Sequence, residues 1–157
     1  MSTEKTYTED QAHRFFGAKY NNEIFALYEK ETLTKYERER IIHLGHASLL
    51  HWQDFSGHKM VNTQRGLYMI AKAYLKADEK ENAMKYAQEC HQLTFEQQNE
   101  MADFDLAYAS EIMMRVNLLL GNENDAKKYK KDLVDYSAKI KNEEDLKWMK
   151  KDTEDLV

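Results

Sequence analysis

The stretch Gly45-His46-Ala47-Ser48-Leu49-Leu50-His51-Trp52 concentrates two histidines, a serine and a tryptophan in eight residues, and His43 and His58 flank it. These residue types suit metal binding or nucleophilic catalysis. A metal ion needs ligands that converge at about 2 Å. On a helix His43 and His46 stand about 60° apart, but His51 is about 140° from His46 and more than a turn away. A third ligand would have to come from another helix, and neither His-Glu-x-x-His nor Glu-x-x-His occurs. The plainer reading makes His46 and His51 boundary histidines, hydrogen-bonded to neighbouring helices. Ser48 and His51 are three residues apart, yet no Gly-x-Ser-x-Gly turn accompanies them. Ser48 then reads as a small packing residue. Cys90 falls on an apolar stripe and reads the same way. Phosphate-binding loops of the Gly-x-x-x-x-Gly-Lys-[Ser/Thr] or Gly-x-Gly-x-x-Gly type are absent. No catalytic residue, metal or cofactor is expected.

A second constellation lies near position 110. Glu111 and Arg115 are four apart with the glutamate first, the favourable order for a helical ion pair. Phe104, Tyr108, Glu111 and Arg115 share about 60° of one helical wheel. An ion pair flanked by aromatics on an apolar helix is either an internal salt bridge or the floor of a ligand groove. Asn62, Gln64 and Arg65, on the helix expected near 58–77, are the expected polar neighbours, and Tyr68 on the same helix is an apolar contact. His51, Trp52, Asp103 and Asp105 are candidates for the rim.

Helices must position these groups. The chain has 157 residues, no proline and five glycines, with 42% hydrophobic and 32% charged residues. Proline breaks helix interiors, so its absence permits long helices. Thr8 and Gln11 form a capping-box pattern ahead of a helical segment within 8–33, which Gly17 and Asn21-Asn22 are expected to bend or break. Apolar periodicity then predicts helices near 35–55, 58–77, 80–94 and 104–120. A sixth carries Ala126 to Ile140, and a polar last helix within 142–156 is capped by Asn142 with Asp145. The expected class is all-α, with about six to eight helices in one domain over 1–157 and helix pairs near 35–77, 70–94 and 104–140.

A repeat underlies the second half. Ala83, Tyr86 and Cys90 recur as Ala126, Tyr129 and Leu133, 43 residues on. Alanine at a helix crossing lets two axes approach, and the aromatic fills the gap beside it. This pattern resembles the tetratricopeptide repeat, whose period is about 34 residues. Stretches across nearly the whole chain carry a wider resemblance: AHRFFGAKYNNEIFALYEK, GHASLLHW, VNTQRG, YAQECHQL and ADFDLAYASE. Their order is similar to that in a family of small, uncharacterised bacterial helical proteins related to the tetratricopeptide repeats. That resemblance implies a right-handed superhelical stack of antiparallel helix pairs. It offers candidate positions but implies no reaction.

Net charge is −5, and the Lys127–Lys131 run sits among acids, so no nucleic-acid face is expected. Met1–Asp10 is polar, unlike an export signal, and no apolar run approaches the roughly 20 residues of a membrane span. One cysteine permits no internal disulfide, which suits the cytoplasm. The expected function is non-enzymatic binding of a protein or peptide through His46, His51, Trp52, Asn62, Arg65, Tyr68, Asp105, Tyr108, Glu111 and Arg115. Two alternatives stand beside it. One is a metal-binding or enzymatic bundle using His46, His51 and Asp105. The other is a structural protein that pairs as a homodimer near Trp148 and Met149.

Overall fold

The computed structural model describes residues 4–157. Part of the Met1–Asp10 stretch therefore lies outside the described residues. Among the described residues seven α-helices follow one another: α1 Glu9–Tyr28, α2 Lys35–Asp54, α3 Met60–Lys76, α4 Lys80–Glu96, α5 Asp103–Leu119, α6 Glu123–Ser137 and α7 Glu143–Thr153. The class is all-α, and no strand occurs among the described residues. None of these helices is long and apolar enough to cross a membrane.

Local chemistry explains the boundaries. Thr8 accepts from the Gln11 backbone while the Gln11 side chain accepts from the Thr8 N–H, the reciprocal box read from sequence. Thr34 and Glu37 do the same for α2. Asn142 Oδ1 accepts from the Glu144 and Asp145 backbones at 3.0 Å and starts α7. α1 departs from expectation, because it runs unbroken through Gly17 and Asn21-Asn22. The reason is packing. A Cβ at Gly17 would lie 3.0 Å from the Trp52 indole nitrogen, and Ser48 Oγ donates to the Gly17 carbonyl at 2.8 Å. Glycine is there to let α1 and α2 close on each other. His58 precedes α3 instead of belonging to it, and its ring hydrogen-bonds Thr63 Oγ1.

The 43-residue repeat is a structural unit. α5 begins and ends 43 residues after α3, the step that separates Tyr68 from its hydrogen-bond partner Glu111. The turn after α3 places Asp78 at φ 64°, and the equivalent turn after α5 places Gly121 at φ 76°. The following N–H groups close matching bonds, Glu79 to the Tyr74 carbonyl and Asn122 to the Asn117 carbonyl, both at 2.9 Å. Ala83 and Ala126 are buried at the same position of α4 and α6, as are Cys90 and Leu133.

Packing forms two layers. α1, α3, α5 and α7 touch one another in chain order, while α2, α4 and α6 rest chiefly on their chain neighbours. The larger core gathers Ile24, Ile41, Leu67, Ala87, Ile112 and Val116 from α1 to α5. A smaller one joins Met114, Leu133, Ile140 and Met149. Tyr108 and Tyr129 pack against both.

Candidate functional site

The odd-helix layer carries a chain of polar side chains set within apolar surroundings. Glu111 on α5 is 1% exposed. It receives the Arg115 guanidinium one turn later and the Tyr68 hydroxyl of α3 at 2.9 Å. Arg115 then reaches α7. Its NH1 and NH2 groups donate to the two Asp155 carboxylate oxygens at 2.8 and 3.0 Å, and NH2 also donates to the Asp152 carbonyl at 2.6 Å. Tyr108 donates to the Asp152 carboxylate at 2.6 Å and meets the Tyr68 ring edge-on. The Glu111 end of the pair is therefore buried and the Arg115 end partly so, with α7 lying over it.

Lys72 is the repeat equivalent of Arg115 and sits beside this network. It is 7% exposed. Its ammonium lies 4.1 Å from the centre of the Tyr28 ring and 5.4 Å from that of Tyr68. Tyrosine faces stabilise a cation through their quadrupoles. Among the described residues no carboxylate lies within 4.0 Å of it.

The electrostatics follow this placement. Desolvation pushes the Lys72 pKa down, against the pull of Glu111. Desolvation also drives the Tyr28 hydroxyl up to about 12 and Tyr68 well above its usual range. Tyr108 rises through burial and its bond to Asp152. Burial opposes the Arg115 charge, but hydrogen bonding to Asp155 and the Glu111 charge outweigh it. Asp155 is held below the usual carboxylate range by the hydrogen bond from Arg115.

A second polar group adjoins the first. Arg65 grips Asp105 through Nε and NH2 at 2.9 and 3.1 Å and lies over the Phe104 ring. Asp105 also accepts from the Ala102 backbone at 2.9 Å and so starts α5. Asn62, its repeat equivalent, accepts from the Lys59 backbone at 2.8 Å and starts α3. Both residues are therefore helix caps, and Asp105 additionally orients Arg65. Gln64 is buried and donates to Thr94 Oγ1 at 2.9 Å.

The remaining expected site residues lie elsewhere. His46 hydrogen-bonds the Tyr74 hydroxyl at 3.2 Å and meets Tyr86 edge-on. His51 pairs with His13, the two Nδ1 atoms 3.0 Å apart, and packs against Phe16 and Tyr20. Trp52 seals the α1–α2 contact at Gly17 and meets Phe55 edge-on. These three residues belong to helix packing and form no rim around Glu111. The metal grouping of His46, His51 and Asp105 is not assembled, because each faces a different partner. No cluster of three or more His, Cys, Asp or Glu able to hold a metal occurs among the described residues. Cys90 is buried and its thiol is pushed up to about 12 by desolvation, which leaves it protonated. Met149 is 1% exposed, which removes it from the expected dimer surface, while Trp148 is half-exposed.

Sequence reasoning missed Tyr28, Lys72, Asp152 and Asp155. Lys72 carried a signal: it interrupts the apolar run Leu67–Ala73 one turn after Tyr68. Asp152 carried a fainter one, as an acid in the last turn of a helix, where the dipole favours cations. The chain matches no family model, no curated protein and no solved structure.

Proposed function

We propose that this protein is a non-enzymatic binding module that engages a protein or peptide through its odd-helix layer. The reading takes the chain as one cytoplasmic, tetratricopeptide-like stack whose right-handed superhelix turns α1, α3 and α5 toward the partner. The repeat supports this kinship, since its 43-residue step is kept in helices, turns and caps. One observation carries the functional step. Arg115 and Tyr108 on α5 already hold an acidic helical segment, through Asp152 of α7 and Asp155 just past its end. A surface that grips one helix by its carboxylates has the chemistry to grip another.

The test is affinity capture from the native cell extract. Lys72→Met keeps the buried stem and removes the charge. It is expected to lose the wild-type partner while retaining the helical circular dichroism spectrum. Lys128→Ala, on the exposed side of α6, is expected to retain that partner. Retention of every partner by Lys72→Met would refute the odd-helix layer as the binding face.

A further inference from the structure

We infer that α7 is a displaceable occupant of a cationic socket on α3 and α5, and that the partner is an acidic amphipathic helix which takes its place. This deepens the binding reading above and rests on it. Four observations lead there.

The first is charge. Lys72 and Arg115 supply two cations and Glu111 one carboxylate, so the socket without α7 has one net positive charge. α7 and its flanks, residues 142–157, bring six acids against three lysines. The second is the unfilled position. Arg115 bonds the Asp155 carboxylate just past α7, whereas its repeat equivalent Lys72 is almost wholly buried, with the Tyr28 and Tyr68 rings nearest its ammonium and no carboxylate within ion-pair distance among the described residues. A buried cation with no anion in contact is costly even with Glu111, Asp152 and Asp155 acting on it from farther off, and a carboxylate entering beside Tyr28 and Tyr68 would relieve that cost.

The third is the weak hold on α7. It has eleven residues, of which only Met149 and Thr153 are buried. A helix this short does not persist alone in water, so its packing must hold it. That packing is incomplete: an open apolar groove separates α7 from α6, lined by Leu133, Val134, Ala138, Leu146 and Val157. The fourth is placement. Asp152 stands in the last turn, against the helix dipole, and its partners are Tyr108 and Arg115. These residues define the ligand as an apolar residue followed by two carboxylates one turn apart, as in Met149, Asp152 and Asp155.

The experiment uses the full chain and a fluorescein-labelled peptide of residues 142–157, read by anisotropy. The resident helix is loosened by Asp152→Ala with Asp155→Ala. That variant is expected to bind the peptide at least about tenfold more tightly than the wild type, because a resident competitor lowers apparent affinity by the fraction of free sites. Adding Lys72→Met, or Tyr108→Phe as a milder change, is expected to weaken binding several-fold. A peptide lacking both aspartates is expected to bind poorly. Equal binding by the loosened and wild-type chains overturns the inference, as does binding indifferent to Lys72, or no binding. If the peptide fails while Lys72→Met still strips the wild type of its partner in extract, the odd-helix layer binds and only the replacement of α7 is wrong.

Discussion

Replacing Arg115 by alanine separates a buried ion pair from an exposed one within a single cluster. Glu111 is 1% exposed and Asp155 is 61% exposed, yet both bond to the same guanidinium. Loss of Arg115 leaves Glu111 buried with the Tyr68 hydroxyl as its remaining hydrogen-bond partner. Removing one member of a buried pair costs about 3–5 kcal/mol. Asp155→Ala removes only the exposed end, and Arg115 keeps Glu111 and the Asp152 carbonyl, so a cost of about 0–1 kcal/mol is expected. The double change Glu111→Met with Arg115→Met removes the uncompensated charge. It is expected to be milder than the sum of its parts by about 0.5–3 kcal/mol. Urea unfolding followed by circular dichroism measures all of these, provided the slope with denaturant is unchanged. Equal costs for Arg115→Ala and Asp155→Ala, or additivity in the double variant, would refute the burial argument.

Two further predictions concern the turns and the histidines. Asp78→Gly relieves a left-handed backbone carrying a side chain and is expected to stabilise by about 0.5–1 kcal/mol, whereas Gly121→Ala, at the equivalent turn, destabilises by a similar amount; thermal melts of both variants check the opposite signs. His46, His51 and His91 are all lowered chiefly by desolvation, so the native state resists their protonation. Their contribution is fully present above the unfolded value of about 6.5 and is lost as pH falls through the lowered native values. Asp155 adds a smaller loss below the carboxylate range. Melting temperature is therefore expected to hold from pH 8 to about 6.5 and to decline toward pH 5. His46→Gln, which keeps a partner for Tyr74, is expected to flatten that decline, and an unchanged slope would count against this cause.

Helices were legible in the sequence because their signals are local. The Thr8 and Asn142 caps and the apolar periodicity each depend on residues within a few turns of one another, and the Ala83–Ala126 repeat restates one such local pattern 43 residues on. The site was legible only in part. The wheel placed Tyr108, Glu111 and Arg115 on one face, and Tyr68 and Arg65 on the neighbouring helix do meet them or their surroundings. A wheel gives a direction and not the element that lies in it. His51 and Trp52 point toward α1, which closes on them because Gly17 lacks a side chain. Arg115 meets Asp155 across 40 residues of chain, and no local pattern encodes that contact. Lys72 interrupts the apolar run Leu67–Ala73, but a lysine's long stem can carry its charge out to water, so that interruption alone does not place the ammonium inside.

Native-state hydrogen exchange on the free wild-type protein tests most directly whether α7 is a removable occupant of the binding face. Amides of α7, Glu143–Thr153, are expected to exchange through local opening, far faster than those of α5, Asp103–Leu119, which open only with the core. Exchange of α7 at the slow rate of α5 would mean that α7 leaves only when the whole chain unfolds, and would contradict the account.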